Sequence, residues 1–302
     1  MNFPPFSICS MAIYSSIIIF LLSSQLAAED VKQAATAKIS SELNSLKNNY
    51  INNAISSLEN LIIETIPNTE ISITGAEELK PQWEVLTVQP LRDDGKNITF
   101  FQGSLLRWDG DRDTINLGLV QRKLLLNNNI LVGLNAFYDH EFTVDHSRLG
   151  LGGEFLTSVG EFRINNYYAN SNSRLNAGNA EEAMSGSEYE FGTHVPYIPK
   201  LKVFGKKFNW DAGTANLDGE TYSAQFSHGS LVLEAGVDQF DSGEDRAFFK
   251  ITLAPSKGET SSSKIIQDVA YRLESVEKQK LTKVRRENKI LTSAFTVSFG
   301  GY

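Results

Sequence analysis

The sequence is poor in cysteine, proline and long apolar runs, and these scarcities exclude several classes of protein. The 302 residues include 1 Cys and 8 Pro. The one cysteine, Cys9, cannot form a disulfide within the chain, and no cysteine–histidine cluster offers ligands for structural zinc. The net charge of −8 argues against nucleic acid as the main partner. By contrast, the 22 Gly, 18 Phe and 10 Tyr exclude a collagen-like rod and a disordered tail.

The first 28 residues have the pattern of a targeting segment. They contain no Asp, Glu, Lys or Arg, and the apolar run 11–22 is followed by the stretch SSQLAA. This pattern predicts a secretory signal peptide over residues 1–28, because about a dozen apolar residues are too few to cross a bilayer. The missing positive charge before the run leaves an uncleaved anchor as the alternative. No later stretch reaches about 18 apolar residues, so an exported chain is either soluble or crosses a membrane as a barrel.

Residues 29–67 are predicted to form an amphipathic helical segment. Apolar residues recur at steps of three and four from Ile39 to Leu61, which is the spacing of one helix face. Pro67 ends the run. We expect this helix to pack on whatever follows it, and the alternative is a helix that lies on a membrane surface.

Beyond this segment the apolar pattern becomes an alternation, which predicts β-strands. Leu134 and Tyr138 share one face of the clearest strand, whereas Asn135 and Asp139 share the other. Strand lengths that suit a tilted crossing, polar and glycine-rich second faces, and connections that alternate in length favour a transmembrane barrel. We therefore predict an all-β, twelve-stranded antiparallel outer-membrane barrel over residues 68–255. Its predicted strands are 69–74, 82–92, 97–109, 113–126, 129–142, 145–158, 160–171, 187–198, 201–213, 218–229, 230–241 and 244–255.

The last residues offer a competing strand. Phe295, Val297 and Phe299 alternate with smaller side chains and could form part of the wall. A thirteenth strand would break the even count that is usual in bacterial barrels, so we place the closing strand at 244–255.

Three motifs add a resemblance to a known family. Residues 133–139 read GLNAFYD, residues 146–154 read HSRLGLGGE, and residues 285–291 read RRENKIL. In this order they resemble the β-domain of the inverse autotransporters, the intimin and invasin family of Gram-negative outer-membrane adhesins. The resemblance implies a barrel in the outer membrane with its N-terminal segment in the periplasm. It also implies a linker that threads back through the pore and carries an adhesive passenger to the cell surface.

From this resemblance we expect a translocator or anchor of the inverse-autotransporter type. The sequence ends at Tyr302 without adhesive repeats, so we expect little or no passenger. The expected partners are outer-membrane lipids, the β-barrel assembly machinery, periplasmic chaperones and a separately encoded surface protein, with no nucleic acid. No cofactor is expected.

Residues 256–302 are predicted to be a linker that plugs the pore. Apolar residues from Ile266 to Val276 have helical spacing, and six cations follow within residues 278–289. We expect a helical and extended segment whose cations face acidic lumen residues, because opposite charges in a confined lumen interact more strongly than exposed pairs. The alternative is a solvated basic helix in the periplasm, which would leave a solute-conducting pore. The lumen and plug candidates are Asp139, Arg148, Glu154, Glu234, Asp238, Arg285 and Arg286.

An enzyme built on the barrel rim is a third hypothesis. The pairs Asp139–His140 and His146–Ser147 flank one predicted loop, where a dyad could face a substrate. Neighbours along a strand point to opposite faces, so neither pair forms a dyad by sequence adjacency alone. We therefore expect no enzyme, no catalytic or cofactor-binding residues and no metal ligands.

Overall fold

The computed structural model describes residues 67–293 apart from residues 78, 178, 214 and 255–265. The predicted signal peptide, almost all of the predicted helical segment and the competing strand near the C-terminus lie outside the described residues. The described chain forms fourteen strands and one short 3-10 helix, Glu277–Gln279. The strands are β1 (Thr69–Ala76), β2 (Gln82–Asp93), β3 (Asn97–Trp108), β4 (Arg112–Leu125), β5 (Ile130–Glu141), β6 (His146–Thr157), β7 (Gly160–Ala169), β8 (Arg174–Asn176), β9 (Asn179–Glu181), β10 (Ser185–Val195), β11 (Ile198–Asp211), β12 (Asn216–His228), β13 (Leu231–Phe240) and β14 (Arg246–Leu253).

Twelve of these strands close into one antiparallel barrel. Around the ring they follow the order β1-β14-β13-β12-β11-β10-β7-β6-β5-β4-β3-β2, and β1 pairs with β14 to complete it. Closure removes the free edges that an open twelve-stranded sheet would expose. The predicted barrel is therefore confirmed, and each predicted strand overlaps an observed one.

Strands β8 and β9 form a separate two-stranded hairpin. They lie in the connection between β7 and β10, where we predicted no strand. Each strand has 3 residues, so neither carries enough alternation to be found from its pattern.

The outer and inner faces of the barrel wall differ in chemistry. On β5, Leu134 is 71% exposed on the outer face, whereas its neighbour Asn135 is buried against the lumen. Leu117, Leu119 and Leu151 are likewise exposed on the outside. An apolar outer band with a polar interior is the arrangement of a barrel whose outside contacts lipid.

The three shortest connections, of two residues each, lie at one end of the barrel. This turn end holds the start of β1, the end of β14 and the connections 94–96, 126–129, 158–159, 196–197 and 229–230. The opposite end, called the loop end, holds the remaining connections, of which 170–184 is the longest. Because β14 finishes at the turn end, the following segment leaves the wall there.

The segment after β14 corrects the prediction of a helix. Residues 266–276 contain no helix and cross the turn end, where the backbone bonds to successive turns. The amide of Gln267 donates to the carbonyl of Tyr197 (2.8 Å), and the amide of Val276 donates to the carbonyl of Asn128 (2.7 Å). The helical prediction is wrong here because the turns satisfy these backbone groups and most of the spaced apolar residues are not packed, with Val269 42% and Leu273 76% exposed. Among the described residues, no helix is long and apolar enough to span a bilayer.

Candidate functional site

Residues 276–293, called the pore segment, run through the lumen from the turn end to the loop end. Val276, Val284 and Leu291 of this segment are buried, and each belongs to a different apolar cluster. The three clusters lie at different heights in the lumen and therefore show the path of the pore segment. At the turn end the partners of Val276 are Leu124, Leu131 and Leu156. At the loop end the partners of Leu291 are Tyr167, Met184, Phe208 and Trp210.

Arg122 on β4 holds the backbone of the pore segment where it enters the lumen. Its side chain is fully buried, and its Nη1 donates to three carbonyls, those of Gln279 (3.1 Å), Lys280 (2.9 Å) and Thr282 (2.7 Å). Glu154 on β6 accepts from the Nε and Nη2 of the same guanidinium at 2.7 and 3.1 Å. The carboxylate therefore orients the arginine and compensates its buried charge.

Further side chains of β3, β6 and β7 bind the backbone higher in the lumen. The amide group of Gln102 accepts from the backbone N–H of Val284 (2.7 Å) and donates to its carbonyl (3.3 Å). The Glu287 amide donates to the Tyr167 hydroxyl (2.8 Å), and Arg148 donates to the Glu287 carbonyl (2.7 Å). These contacts satisfy backbone groups that water would otherwise have to solvate.

Cations of the pore segment pair with acidic side chains at successive heights of the wall. The pairs are Lys280–Asp93 (2.8 Å), Lys283–Glu70, Arg285–Glu190 (2.9 Å), Arg285–Glu234 (2.9 Å) and Arg286–Asp139 (2.6 Å). Their side chains are mostly buried, so these pairs are screened less than surface pairs. The charge pattern thus holds this segment in one register along the lumen.

Glycines make room for the Arg286 contact. The guanidinium of Arg286 lies 4.2 Å from the ring centroid of Phe137. A Cβ atom at Gly150 would lie 2.9 Å from the Arg286 Nη2, and a Cβ atom at Gly118 would lie 2.1 Å from the Phe137 ring. Larger residues at these two inward positions would displace the ring or the arginine.

The seven candidate residues are placed as follows. Arg286 meets Asp139 and Arg285 meets Glu234, while Arg148 supports Asp139 with a bond of 2.9 Å. Glu154 serves differently from the expectation, because its carboxylate binds Arg122 of the wall and not a cation of the pore segment. Asp238 accepts a hydrogen bond from Thr221 (2.7 Å) and lines a cavity beside the segment.

The sequence reasoning missed several residues that hold the segment, above all Arg122, Gln102, Tyr167 and Glu190. A usable signal was present for Arg122. It falls on the inward parity of β4 together with the buried Val120 and Leu124, so its charge has to be met inside the lumen. Gln102 and Tyr167 carry no charge that marks them.

Backbone pairing holds the pore segment where it leaves the lumen. Thr292 forms an antiparallel bridge with Ala183, in the connection that contains the β8–β9 hairpin. The Met184 amide donates to the Leu291 carbonyl (2.8 Å), and the Ser293 amide donates to the Glu182 carbonyl (2.9 Å). At its exit the pore segment therefore pairs with this connection in the manner of an added β-strand.

The hairpin is in turn fixed to the barrel by the buried carboxylate of Glu181. Its oxygens accept from Arg112 on β4 (2.6 Å) and from Asn176 (2.8 Å), and they lie 3.3 Å from His146 Nε2 on β6. Burial opposes ionisation of this carboxyl, but these three side chains lower its pKa to about 2. The hairpin therefore keeps a charged anchor over a wide pH range.

The histidines of the rim do not form the adjacent pairs considered above. The Nδ1 of His146 lies 3.0 Å from the Ser171 hydroxyl, not beside Ser147, and His140 lies 3.8 Å from Asp145. The His146 side chain is fully buried. Within the part of the chain that the structure describes, no group of three or more His, Cys, Asp or Glu residues is placed to hold a metal ion.

The fold and the site together define a class. A closed twelve-stranded barrel with an apolar outside and a charged segment through its polar lumen is an outer-membrane β-barrel with an occupied pore. The family model for the inverse autotransporter β-domain matches residues 15–288. The chain therefore belongs to the inverse autotransporter β-domain family, whose barrels are translocators and anchors of the outer membrane. This confirms the resemblance drawn from the motifs.

Individual relatives are similar over shorter stretches. Intimin of Escherichia coli O127:H6 is 34% identical over 118 residues, which cover 37% of this chain and 12% of that protein. Invasin of Yersinia enterocolitica is 28% identical over 114 residues, which cover 36% of this chain and 13% of that protein. The chain thus matches a small part of the length of these relatives.

A solved structure supports the fold. The membrane protein described in "Unveiling the Mechanism Behind the in-meso Crystallization of Membrane Proteins" superposes with a TM-score of 0.64 at 19% identity. The superposition covers 74% of this chain and 98% of that chain. At this level of identity the likeness shows the fold alone.

Proposed function

We propose that the barrel anchors the chain in the outer membrane and holds the pore segment in transit, so that whatever follows the segment emerges at the cell surface. The observation that carries this proposal is the continuous run of wall contacts from Val276 to Ser293. In this arrangement the turn end faces the periplasm and the loop end faces the outside. Short periplasmic turns and longer outer loops are the usual orientation of such barrels.

Two kinds of contact support this role. Arg122 and Gln102 bind backbone groups, which every polypeptide possesses, so they can hold successive parts of a moving chain. The ion pairs of Arg285 and Arg286 depend on particular side chains, so they favour the state in which this segment occupies the lumen. Backbone contacts that accept any sequence, together with ion pairs that are specific to this segment, suit a translocator in which the moving chain stops at a defined position.

The proposed partners follow from this role. Outer-membrane lipids contact the apolar outer face, and periplasmic chaperones with the β-barrel assembly machinery deliver and insert the chain. The cargo is the polypeptide that continues from the pore segment, or a separately encoded surface protein bound at the loop end. We infer that none of these steps is catalytic, because the fully buried imidazole of His146 is inaccessible to a substrate and serves to hold the hairpin.

Truncation tests the proposal. A chain that ends at Ser256 keeps all twelve barrel strands and lacks the pore segment. We expect it to assemble into a heat-resistant barrel and to conduct far more current in planar bilayers than the full chain. Failure of the truncated chain to assemble, while the full chain succeeds, would show that the missing segment is part of the wall.

Epitope insertion tests the orientation. An epitope between Asn176 and Asn179 lies at the tip of the loop-end hairpin, and one at Asn128 lies in a turn of the opposite end. Antibody should label intact cells that carry the first insertion and should not label cells that carry the second until they are permeabilised. The reverse pattern would overturn the assignment of the two ends.

A further inference from the structure

The pore segment does not fill the lumen. A cavity of about 270 Å³ lies beside it, lined by the inward-facing residues of β14, namely Arg246, Phe248, Lys250 and Thr252. Ser227 and Val232 border the cavity near the turn end, and Leu79 borders it near the loop end. The cavity therefore follows the wall over most of its height. Its volume is far above the about 10–15 Å³ that one water needs.

A second cavity continues the first one toward the loop end. It has a volume of about 260 Å³ and reaches the connection between β13 and β14, at Ser242 and Glu244. The two cavities share lining residues, among them Lys206, Thr221 and Asp238. The shared residues place the two cavities next to each other along the pore segment, and together they are called the passage.

The position of the segment explains why this side stays open. Gln102 on β3, Arg122 on β4 and Arg148 on β6 bind its backbone, and these strands lie on the other part of the ring. On the side of the passage the inward positions of β12 include the small residues Ser223 and Ser227. Neither side chain is long enough to close the gap to an off-centre segment.

We propose that the barrel conducts small hydrated ions through this passage while the pore segment stays in place. The proposal rests on the proposed function, since it requires the segment to occupy the lumen. The lining carries both signs of charge, with Glu234 bound to Arg285 (2.9 Å) and Lys250 near Glu84 (3.6 Å). Because charges of both signs line the path and pair with each other, the current is carried by cations and anions alike.

The test uses cysteine substitutions in the full chain with its one native cysteine removed, Cys9→Ser. Ser223→Cys places a thiol on the passage, and Tyr222→Cys places one on the outer face, where Tyr222 is 49% exposed. In potassium chloride the full chain should give a small steady current. A cationic methanethiosulfonate reagent should lower that current at least roughly twofold for Ser223→Cys, and should leave it unchanged for Tyr222→Cys.

A second pair guards against a variant that folds poorly. Thr252→Cys and Ile251→Cys repeat the inward and outward comparison nearer the turn end, on β14. A full chain without current, next to a truncated chain with a large one, would overturn the passage and leave the occupied pore intact. Current that the reagent does not change at either inward cysteine would also overturn the passage. Equal currents in the full and truncated chains would instead overturn the occupied pore itself.

Discussion

The wall of the barrel meets the pore segment in two different ways. Strands β3–β7, called the tight wall, supply Arg122, Asp139 and Arg148, whose side chains are fully buried against the segment or its partners. Strands β12–β14, called the open wall, line a cavity of about 270 Å³, and Glu234 and Lys250 there are only partly buried. The contacts that hold the segment therefore come mainly from the tight wall, and space for water remains beside the open wall.

This difference has a clear energetic consequence. A buried charge that loses its partner keeps its full desolvation cost, whereas a charge beside a wet cavity can be solvated again by water. Equivalent substitutions should therefore be costlier on the tight wall than on the open wall. The predictions below test this comparison, starting with the largest expected effect.

Replacing Arg122 should break the tight wall. Arg122→Ala removes three bonds to backbone carbonyls and leaves Glu154 without the guanidinium that it orients. We expect the free energy of unfolding in lipid vesicles, measured by urea titration, to fall by about 3–5 kcal/mol. Arg107→Ala is the control, because the Arg107–Asp113 pair is exposed and should contribute at most about 1 kcal/mol. Similar losses in the two variants would contradict the special role of the tight wall.

Adjacent arginines of the pore segment offer a direct comparison of the two sides. The Arg286 side chain is 1% exposed and pairs with Asp139, whereas the Arg285 side chain is 20% exposed and pairs with Glu234. Arg286→Gln should weaken protection of the segment by about 2–3 kcal/mol, and Arg285→Gln by about 1 kcal/mol, since water can solvate Glu234. Amide hydrogen exchange of residues 279–290 measures both. A larger loss for Arg285→Gln would reverse the comparison.

Two buried valines extend the comparison to apolar packing. Val284 of the pore segment is 3% exposed and packs into the cluster with Phe100, Val120 and Phe137. Val232 of β13 is 8% exposed, and both valines line the cavity. Val284→Ala should lower the free energy of unfolding by about 2 kcal/mol, and Val232→Ala by about 1 kcal/mol, because Val284 also packs among the buried side chains of its cluster and its truncation removes more apolar contacts. Equal losses would mean that packing in the cluster adds nothing to the stability at Val284.

The barrel could be predicted from the sequence because lipid and lumen impose opposite chemistry on alternate residues. Leu134 and Asn135 show this contrast as neighbours, and the same rule located every strand of the barrel. The hairpin of β8 and β9 carries no such rule, since its strands are short and lie outside the ring. The helical spacing from Ile266 to Val276 failed as a signal because Val269 and Leu273 are exposed, and Val276 alone of the spaced residues is buried in an apolar cluster.

The candidate site was predictable where charge alone marks a residue. Asp139, Glu234, Arg285 and Arg286 are charged and belong to the lumen or the tail, so their pairing follows from confinement. Which acid meets which cation depends on the height of each residue in the barrel, and strand parity does not give that height. The backbone contacts of Gln102 could not be predicted from the sequence for the same reason.

The smallest expected effect concerns the hairpin that the tight wall fixes through Arg112 and His146. Because the pKa of Glu181 is lowered from its ordinary 4.5 to about 2, its contribution to docking is fully present above pH 4.5 and is lost as the pH falls toward 2. We therefore expect no change in hairpin docking between pH 7 and pH 5, and release only in stronger acid. A fluorophore on Leu175→Cys, at a position 78% exposed on the hairpin, reports the docking in the chain that also carries Cys9→Ser.

Two further results decide which group controls the hairpin. Glu181→Gln removes the charge, so the fluorophore should report a loosened hairpin at pH 7 and little further change in acid. Release of the hairpin near pH 6 would contradict the assignment to Glu181, whose pKa is about 2. We expect the hairpin to stay docked down to about pH 4 in the parent and the acid transition to be lost in Glu181→Gln. This pair of results would show that the contacts of the tight wall extend beyond the lumen to the exit of the pore segment.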